Sequence, residues 1–318
     1  MAIVGVGRYR YQLVEHWGRL PAGQTFGNVS AVATDSLDRV YVFQRKDPPV
    51  LVFDRDGGYL GGWGIGAFAN PHGIYIGNDV VYLTDRDDSV CLTYTLDGKP
   101  LQILGKRGAH SDTGCERPGE LVPRSAGPFN YPTEMVPAPS GDLYITDGYR
   151  NARVHRFSPA GELIASWGEP GKTEPNQFHL PHSLIADRDG AIYVCDRENN
   201  RIQVFSADGD FQTMWTDLRR PLDISMDRDG LFCISEGGVS GLSPRISLMD
   251  KRGAVVARWD SLSAHGSWVG AHGDIYLALA RAERQVDIAM GIHPAPMCRQ
   301  GIPPRDDGAA LVHQADPG

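Results

Sequence analysis

Residues 132–168 read PTEMVPAPSGDLYITDGYRNARVHRFSPAGELIASWG, and residues 181–217 read PHSLIADRDGAIYVCDRENNRIQVFSADGDFQTMWTD. Each stretch holds four short apolar runs separated by turn-forming pairs such as SG, DG and AG, which is typical of four antiparallel strands. Related units occur at 29–64, 71–105, 221–260 and 264–290. A four-stranded unit of about 40 residues is typical of a propeller blade, so we predict an all-β, six-bladed β-propeller.

The repeats predict a single domain over residues 1–290, with a long loop at 105–130 that is rich in glycine, proline and charged residues. The N-terminal run YRYQLVEHWG resembles the fourth strand of the other units. We therefore expect an N-terminal strand to complete the sixth blade and close the ring, which removes exposed sheet edges. Residues 291–318 are rich in proline, glycine and aspartate, and we assign them to a C-terminal tail.

Composition excludes several classes of partner. The 318 residues carry a net charge of −8 and no basic block, which argues against nucleic acid or an anionic membrane. No apolar run approaches the roughly 20 residues that span a bilayer. The five cysteines are odd in number, form no C-x-x-C motif and indicate a reducing compartment. The N-terminus lacks the pattern of a signal peptide, so we expect a cytoplasmic protein.

Three units carry a histidine at one equivalent place near the start of the first strand: His72 in NPHG, His182 in LPHS and His265 in SAHG. The first strands of a propeller line its central channel, so equivalent positions point at one axis. Units two, four and six are about 120° apart, which leaves one coordination position open for a catalytic zinc. Spacing alone leaves a packing role open for each histidine. The intervening units carry Ser30, Thr133 and Leu222 instead.

A second set of equivalent positions follows the second strand of the units. We expect Arg45, Tyr149 and Arg197 to lie at the same end of the channel as the histidines. Arginine binds carboxylates through two parallel hydrogen bonds, and a phenol beside it can act as a base. For Arg86 and Arg201 we favour a structural role in salt bridges between blades.

The other histidines show no partner pattern. We expect His110, His155, His179 and His272 to lie at the surface.

The stretch FNYPTEMVPAPSGDLYITDGYRNARVHRFSPAGELIASWG, followed by FHLPHSLIADRDGAIYVCDRENNRIQVF, resembles peptidyl-α-hydroxyglycine α-amidating lyase. The similarity extends over roughly residues 24–275 and is more specific than a general NHL propeller repeat. The resemblance implies a zinc ion held by the three histidines, a catalytic tyrosine in the TDGY motif and two active-site arginines. These residues are His72, His182, His265, Tyr149, Arg45 and Arg197.

The resemblance also implies a reaction, the cleavage of a carbinolamide C–N bond that turns an α-hydroxyglycine end into an amide and glyoxylate. In this role zinc (Zn²⁺) would polarise the substrate hydroxyl, and Tyr149 would take its proton. Arg45 and Arg197 would hold the substrate carboxylate. We therefore predict a metal-dependent carbon–nitrogen lyase that acts on a small carboxylate-bearing carbinolamide or related hydroxy acid.

The sequence departs from that family at three positions. Gly266 stands where the family has a metal-binding aspartate, so the resemblance does not support a structural calcium. Ser263 replaces an apolar residue of the family's pocket, and Arg150 stands at one of its disulfide cysteines. With no recognisable leader or monooxygenase domain, we expect a small substrate rather than a secreted peptide hormone.

Two other functions stay open at this stage. One is a noncatalytic NHL propeller that binds a protein or ligand on one face. The other is a metal-dependent propeller hydrolase of the lactonase type, a class that usually holds a hard cation with carboxylate and asparagine ligands rather than histidine.

Overall fold

The computed structural model describes residues 3–14, 16–261, 263–279 and 289–294, the last of these by their backbone. The described residues form short β-strands joined by turns, with one 3₁₀ turn at Arg197–Asn199 and no α-helix. Within these ranges, no helix has the length and apolar character of a membrane span. The prediction of an all-β chain is therefore confirmed.

The chain begins with a hairpin that joins the last sheet, and the next three sheets have four antiparallel strands each. The hairpin is β1 (Ile3–Val6) and β2 (Tyr9–Val14). The three sheets are β3 (Val29–Thr34), β4 (Val40–Gln44), β5 (Val50–Phe53) and β6 (Tyr59–Trp63); β7 (Pro71–Gly77), β8 (Val80–Asp85), β9 (Val90–Thr95) and β10 (Pro100–Leu104); and β11 (Pro132–Pro137), β12 (Leu143–Asp147), β13 (Arg153–Phe157) and β14 (Leu163–Trp167).

A short parallel pair precedes two further four-stranded sheets and one sheet of five strands. The pair is β15 (Glu169–Pro170) and β16 (Gln177–Phe178). The four-stranded sheets are β17 (Pro181–Ala186), β18 (Ile192–Asp196), β19 (Arg201–Phe205) and β20 (Phe211–Trp215); and β21 (Pro221–Met226), β22 (Phe232–Glu236), β23 (Arg245–Met249) and β24 (Val255–Asp260). The remaining strands are β25 (Ala264–Val269), β26 (Ile275–Leu279) and β27 (Ala289–Pro294).

The fourth strands of the four-stranded sheets are less buried than the second strands. Every residue of the second strands β12, β18, β22 and β26 is buried, whereas the fourth strands β10 and β20 are mostly exposed and β14 is partly exposed. Both faces of a middle strand pack against neighbouring sheets, which explains apolar runs such as IYLAL. The predicted propeller with four-stranded blades is confirmed in five sheets.

The last sheet differs from the prediction because it has five strands, in the order β1-β2-β27-β26-β25. We expected one N-terminal strand, but the chain supplies the hairpin β1–β2, and β2 pairs antiparallel with β27. The extra strand β1 follows from the turn at Gly7, which has a φ of 56° and lets the chain fold back. Strand β27 extends past the boundary predicted at residue 290, and residues 295–318 of the predicted tail lie outside the described residues.

Tryptophans near the ends of outer strands pack against a turn of the neighbouring sheet. A Cβ on Gly209, in the turn after β19, would lie 2.9 Å from the Trp167 side chain of the preceding sheet. Gly57, in the corresponding turn of the first sheet, rests on Trp17 in the same way, and its φ of 84° also requires glycine. Trp17 of the N-terminal run thus contacts a turn of the first sheet in the way that Trp167 contacts a turn of the fourth sheet.

The inner strands of neighbouring sheets contact one another. Strands β3, β7, β11, β17 and β21 each contact the inner strands beside them, and β25 contacts both β21 and β3. Residues 105–130 connect the second and third sheets without a strand or helix. The described cysteines, Cys91, Cys115, Cys195 and Cys233, are buried free thiols.

Candidate metal centre and active site

The three predicted histidines occupy the second position of inner strands β7, β17 and β25. At this position the pairing register with the second strand shifts in all three sheets. Such a bulge breaks the regular alternation of side chains and re-aims one of them. The bulges bring His72, His182 and His265 together at one end of the channel.

The three imidazoles form a nearly equilateral cluster. Their ring centroids are 4.9 Å apart for His72 and His182, and 5.0 Å apart for each pair that includes His265. One nitrogen of each ring lies within 4.8 Å of a nitrogen of the others, so the group could hold a metal ion. This arrangement places three donors around one point and leaves the direction along the axis to a further ligand.

Each histidine is oriented by a backbone carbonyl of the following sheet. The Nδ1–H of His72 donates to Thr133 O at 2.7 Å. His182 and His265 donate in the same way to Leu222 O at 2.5 Å and Ser30 O at 2.7 Å. Thr133, Leu222 and Ser30 are the positions equivalent to the histidines in the intervening units. Their carbonyls fix the tautomer with a free Nε2 lone pair, the form that binds metals.

Burial keeps these imidazoles neutral. It lowers the pKa of His72 well below its usual value, and the charges of His265 and Arg45 add to this effect. The pKa of His182 is also well below its usual value, because of burial and then the charge of Arg197. Burial lowers the pKa of His265 to about 4. At neutral pH all three rings are therefore in the metal-binding protonation state.

Tyr149 lies directly against the histidine cluster. Its hydroxyl oxygen is 3.2 Å from His182 Nε2 and 3.5 Å from His72 Nε2. The preceding residue has to be glycine, because a Cβ on Gly148 would lie 2.0 Å from the carbonyl oxygen of Pro181. The TDGY motif thus allows the third sheet to approach the fourth closely enough for the phenol to reach the axis.

The two predicted arginines flank the cluster. Arg45 donates from Nε to Pro71 O at 3.1 Å, directly before His72 in the chain. Arg197 Nη1 lies 3.4 Å from the Tyr149 hydroxyl oxygen, and its Nη2 pairs with Glu198 Oε1 at 2.7 Å. The structure therefore brings all six predicted site residues to one end of the channel.

Arg86 also belongs to this cluster, and the expectation of a salt bridge between blades is wrong for it. Its Nε pairs with Asp87 Oδ1 of its own turn at 2.7 Å. Its guanidinium carbon lies 5.0 Å from the ring centroid of Tyr149 and 5.5 Å from that of Tyr131. The signal available in the sequence was that Arg86 follows the second strand of its unit, as Arg45 and Arg197 do.

Arg201 has a structural role, but its salt bridge lies within the fourth sheet rather than between blades as we expected. Its side chain is 4% exposed and pairs with Asp196, which is fully buried. The other guanidinium nitrogens donate to backbone carbonyls of the segment that leads into the fourth sheet, those of Thr173, Glu174 and Gln177. Every strong donor of this arginine is therefore used by the fold.

The surface expectation holds for His110 and His272 and is wrong for His155. His155 is fully buried in β13, where Nδ1 bonds Ser166 Oγ at 2.7 Å and Nε2 lies 3.3 Å from Asp147 Oδ2. Both nitrogens are thus satisfied inside the third sheet. His179 is half-buried.

Two carboxyl groups that sequence reasoning missed, those of Glu134 and Asp223, line the cavity beneath the histidines. Burial raises the pKa of Glu134 well above its usual value, and burial raises the pKa of Asp223 to about 6. Gly266 lines the same cavity, and a Cβ there would lie 3.0 Å from Ser30 O and from Ala31 Cα. An aspartate at this position would require the adjacent strand to move.

Comparisons with known sequences agree with the repeat pattern. The NHL repeat profile matches residues 178–205. The human NHL repeat-containing protein 3 is 32% identical over 241 residues, which are 70% of this chain and 66% of that protein. A probable peptidyl-α-hydroxyglycine α-amidating lyase of Caenorhabditis elegans is 30% identical over 193 residues, 59% of this chain and 51% of that protein. The chain thus spans less than two thirds of the length of these relatives.

Solved structures share the fold at low sequence identity. A virginiamycin B lyase from Staphylococcus aureus superposes with a TM-score of 0.56 at 17% identity, covering 84% of this chain and 81% of that one. A gluconolactonase from Xanthomonas campestris has a TM-score of 0.60 at 15% identity and covers 90% of each chain.

Proposed function

We propose that the chain is a zinc-dependent carbon–nitrogen lyase, because it matches the NHL repeat profile and is similar to peptidyl-α-hydroxyglycine α-amidating lyases. Its substrate is a small carbinolamide of the α-hydroxyglycine type or a related hydroxy acid, and its products are an amide and a glyoxylate-type acid. The observation that carries the proposal is the Tyr149 hydroxyl 3.2 Å from the Nε2 of a three-histidine cluster.

The donor set fits zinc. Three neutral imidazoles with oriented Nδ1–H groups are typical of catalytic zinc sites, in which three protein ligands leave a fourth position for water or substrate. Bound at His72, His182 and His265, zinc would supply a Lewis acid for the substrate hydroxyl. The proposal takes the five-stranded sheet as the sixth blade of a closed ring, which the pairing of β2 with β27 supports.

Tyr149 moves the proton in this proposal. As the phenolate it accepts the proton of the substrate hydroxyl, whose O–H electron pair becomes the second bond of the product carbonyl. The C–N bond breaks, and its electron pair stays on nitrogen. The proton on Tyr149 then passes to that nitrogen, which gives a neutral amide and restores the phenolate. No proton is gained or lost overall.

The arginines bind and orient. Arg197 donates towards the Tyr149 oxygen and favours its negative charge, as a charged donor beside a developing anion does. Arg45 faces the cluster and provides a cation for the substrate carboxylate. The preorganised charges would hold the substrate hydroxyl towards Tyr149.

We also propose that the partner is a small carboxylate-bearing molecule rather than a nucleic acid or a membrane, and that the protein acts in the cytoplasm. The net charge of −8 and the buried free thiols support these proposals.

Metal analysis and turnover test the proposal together. We expect about one zinc per chain and glyoxylate release from an N-acyl-α-hydroxyglycine. Tyr149→Phe is expected to lower turnover by about 10²- to 10⁴-fold, the usual contribution of a positioned acid or base, while zinc is retained. Tyr144→Phe is the matched control, because this hydroxyl bonds Ala207 O away from the site.

The other functions correspond to different results. Metal-bound protein that hydrolyses lactones and releases no glyoxylate would indicate a propeller hydrolase. Folded protein that takes up no metal and turns over neither substrate would indicate a binding module. Either result contradicts the lyase proposal.

A further inference from the structure

Two arginines at the channel mouth, Arg45 and Arg86, carry like charges, and the carboxylate of Asp87 pairs with Arg86 and acts on both. Arg45 bonds Pro71 O through Nε, and the backbone N–H of Arg86 bonds Asn70 O, so the two flank the residues directly before His72. Burial lowers the pKa of Arg45, and the charge of Arg86 is the next cause. Like charges held this close favour an anion between them.

Both guanidiniums have unused hydrogen-bonding capacity. Arg45 uses Nε for Pro71 O, and Arg86 uses Nε for Asp87 Oδ1 at 2.7 Å. Among the described residues, the terminal nitrogens of these two arginines have no hydrogen-bond partner. Paired terminal N–H groups match the two oxygens of a carboxylate.

Aromatic rings fix the position of Arg86. Its guanidinium packs against the rings of Tyr149 and Tyr131, with its central carbon 5.0 Å and 5.5 Å from their centroids. Tyr131 has a φ of 65°, a left-handed conformation that is rarely adopted by a non-glycine residue, and its backbone N–H is held by Ser89 Oγ at 3.1 Å. Stacking of this kind orients a cation while leaving its N–H groups free.

Arg197 differs from Arg45 and Arg86 because its terminal nitrogens have partners in the protein. Its Nη1 is directed at the Tyr149 hydroxyl, and its Nε and Nη2 both bond Glu198. Glu198 also pairs with Arg220 at 2.8 Å, so it does not neutralise Arg197 alone. The cationic cluster of Arg45, Arg86 and Arg197 therefore retains positive charge for an anionic ligand.

We propose that Arg86 is a substrate-binding residue that forms a carboxylate clamp with Arg45, which leaves Arg197 to act on Tyr149. This inference rests on the proposed function for the identity of the substrate, a small acid with a carboxylate next to the carbon that bears the hydroxyl. Arg86 contributes to binding and discriminates a carboxylate from a neutral amide. It does not take part in proton transfer, because no contact joins it to the Tyr149 oxygen.

Binding of glycolate and glycolamide to the zinc-loaded protein tests this clamp. The two probes share the hydroxyl and differ in the carboxylate. Arg86→Met is expected to weaken glycolate binding by about 10- to 100-fold, the loss of one or two charged hydrogen bonds, and to leave glycolamide binding unchanged. Arg86→Lys should restore part of the affinity, because lysine keeps the charge and loses the fork. Arg188→Met, an exposed arginine in the turn between β17 and β18, is the control.

Kinetics separates binding from catalysis. In turnover assays, Arg86→Met should raise KM by the same factor by which it raises the glycolate Kd. It should leave kcat and the pH profile of kcat close to those of the parent protein. Equal glycolate affinity in Arg86→Met and the parent protein would overturn the clamp. So would an equal loss for glycolate and glycolamide, which would indicate a structural role.

The same measurements separate this clamp from the lyase proposal. Glycolate binding needs no turnover. A protein that releases no glyoxylate but loses carboxylate selectivity in Arg86→Met would keep the clamp and contradict the lyase. Turnover with unchanged selectivity in Arg86→Met would keep the lyase and contradict the clamp.

Discussion

Arg197 and Arg201 leave the same turn of the fourth sheet, and the molecule uses them in opposite ways. Arg201 points into the sheet, where Asp196 and three backbone carbonyls take its donors. Arg197 points to the channel mouth, where one of its nitrogens reaches only the Tyr149 hydroxyl at 3.4 Å. One residue type four positions apart thus serves the fold in one case and the site in the other.

The histidines divide in the same manner. His155, inside the third sheet, has both ring nitrogens bonded to side chains. His265 uses Nδ1 for Ser30 O and directs the other nitrogen at the cluster. The polar atoms of a side chain that stabilises the fold are all hydrogen-bonded to other residues of the protein. A side chain at the site keeps a polar atom that is available to a metal or a ligand. This difference marks the channel mouth as the place where chemistry is possible.

Removal of a site histidine gives the largest effect that this comparison predicts. His182→Ala should abolish zinc binding and lower turnover by about 10³-fold or more, because the metal is expected to supply several kcal/mol of transition-state stabilisation. The melting temperature of the metal-free protein should fall moderately, because the carbonyl of Leu222 loses the Nδ1–H of this buried ring. Metal content, turnover and thermal unfolding measure the three quantities.

His272→Ala is the matched control, since this imidazole is exposed at the surface. It should retain both zinc and turnover. A His182→Ala protein that keeps one zinc per chain would contradict the conclusion that the histidines at the channel mouth bind the metal.

Removal of the structural arginine reverses the pattern. Arg201→Met leaves Asp196 buried without its cation, which should cost about 3–5 kcal/mol of unfolding free energy. Arg197→Met should instead lower turnover by about 10²-fold, with a smaller loss of stability. Chemical denaturation and turnover of both variants test the contrast. Similar losses of stability in the two variants would contradict it.

The repeat pattern predicted the five four-stranded blades, and the equivalent positions together with the family resemblance predicted the six residues that cluster at the channel mouth. The proline–histidine register predicts where His72 and His182 lie, because a channel-lining strand leaves little freedom at its start. Arg86 was not predicted, although its turn TDRD resembles the turn CDRE, whose Arg197 lies at the site. Whether its guanidinium turns to the axis depends on Tyr131 and Tyr149, which come from another sheet.

Two further features had no sequence signal of their own. The carboxyl groups of Glu134 and Asp223 meet in one cavity because strands β11 and β21 face the same axis, and the sequence separates them widely. His155 was expected at the surface because the sequence around it shows no partner pattern. Its burial follows from Asp147 and Ser166 on the two neighbouring strands, with which it forms a polar network inside the sheet.

The smallest predicted effect is the contribution of one imidazole, that of His265, to the pH dependence of stability. Burial holds the pKa of His265 at about 4 in the folded protein, whereas an unfolded histidine titrates near 6.5. Between these values the unfolded chain binds more protons, so stability rises with pH and is lost as the pH falls below 6.5. Metal-free protein should therefore lose about 1 kcal/mol more than His265→Gln between pH 7.5 and 5.5. Urea unfolding of both proteins at the two pH values gives this difference. If the unfolding free energy of the two proteins had the same pH dependence, His265 would take up a proton as readily in the folded protein as in the unfolded chain. The conclusion that the three histidines are neutral would then be wrong.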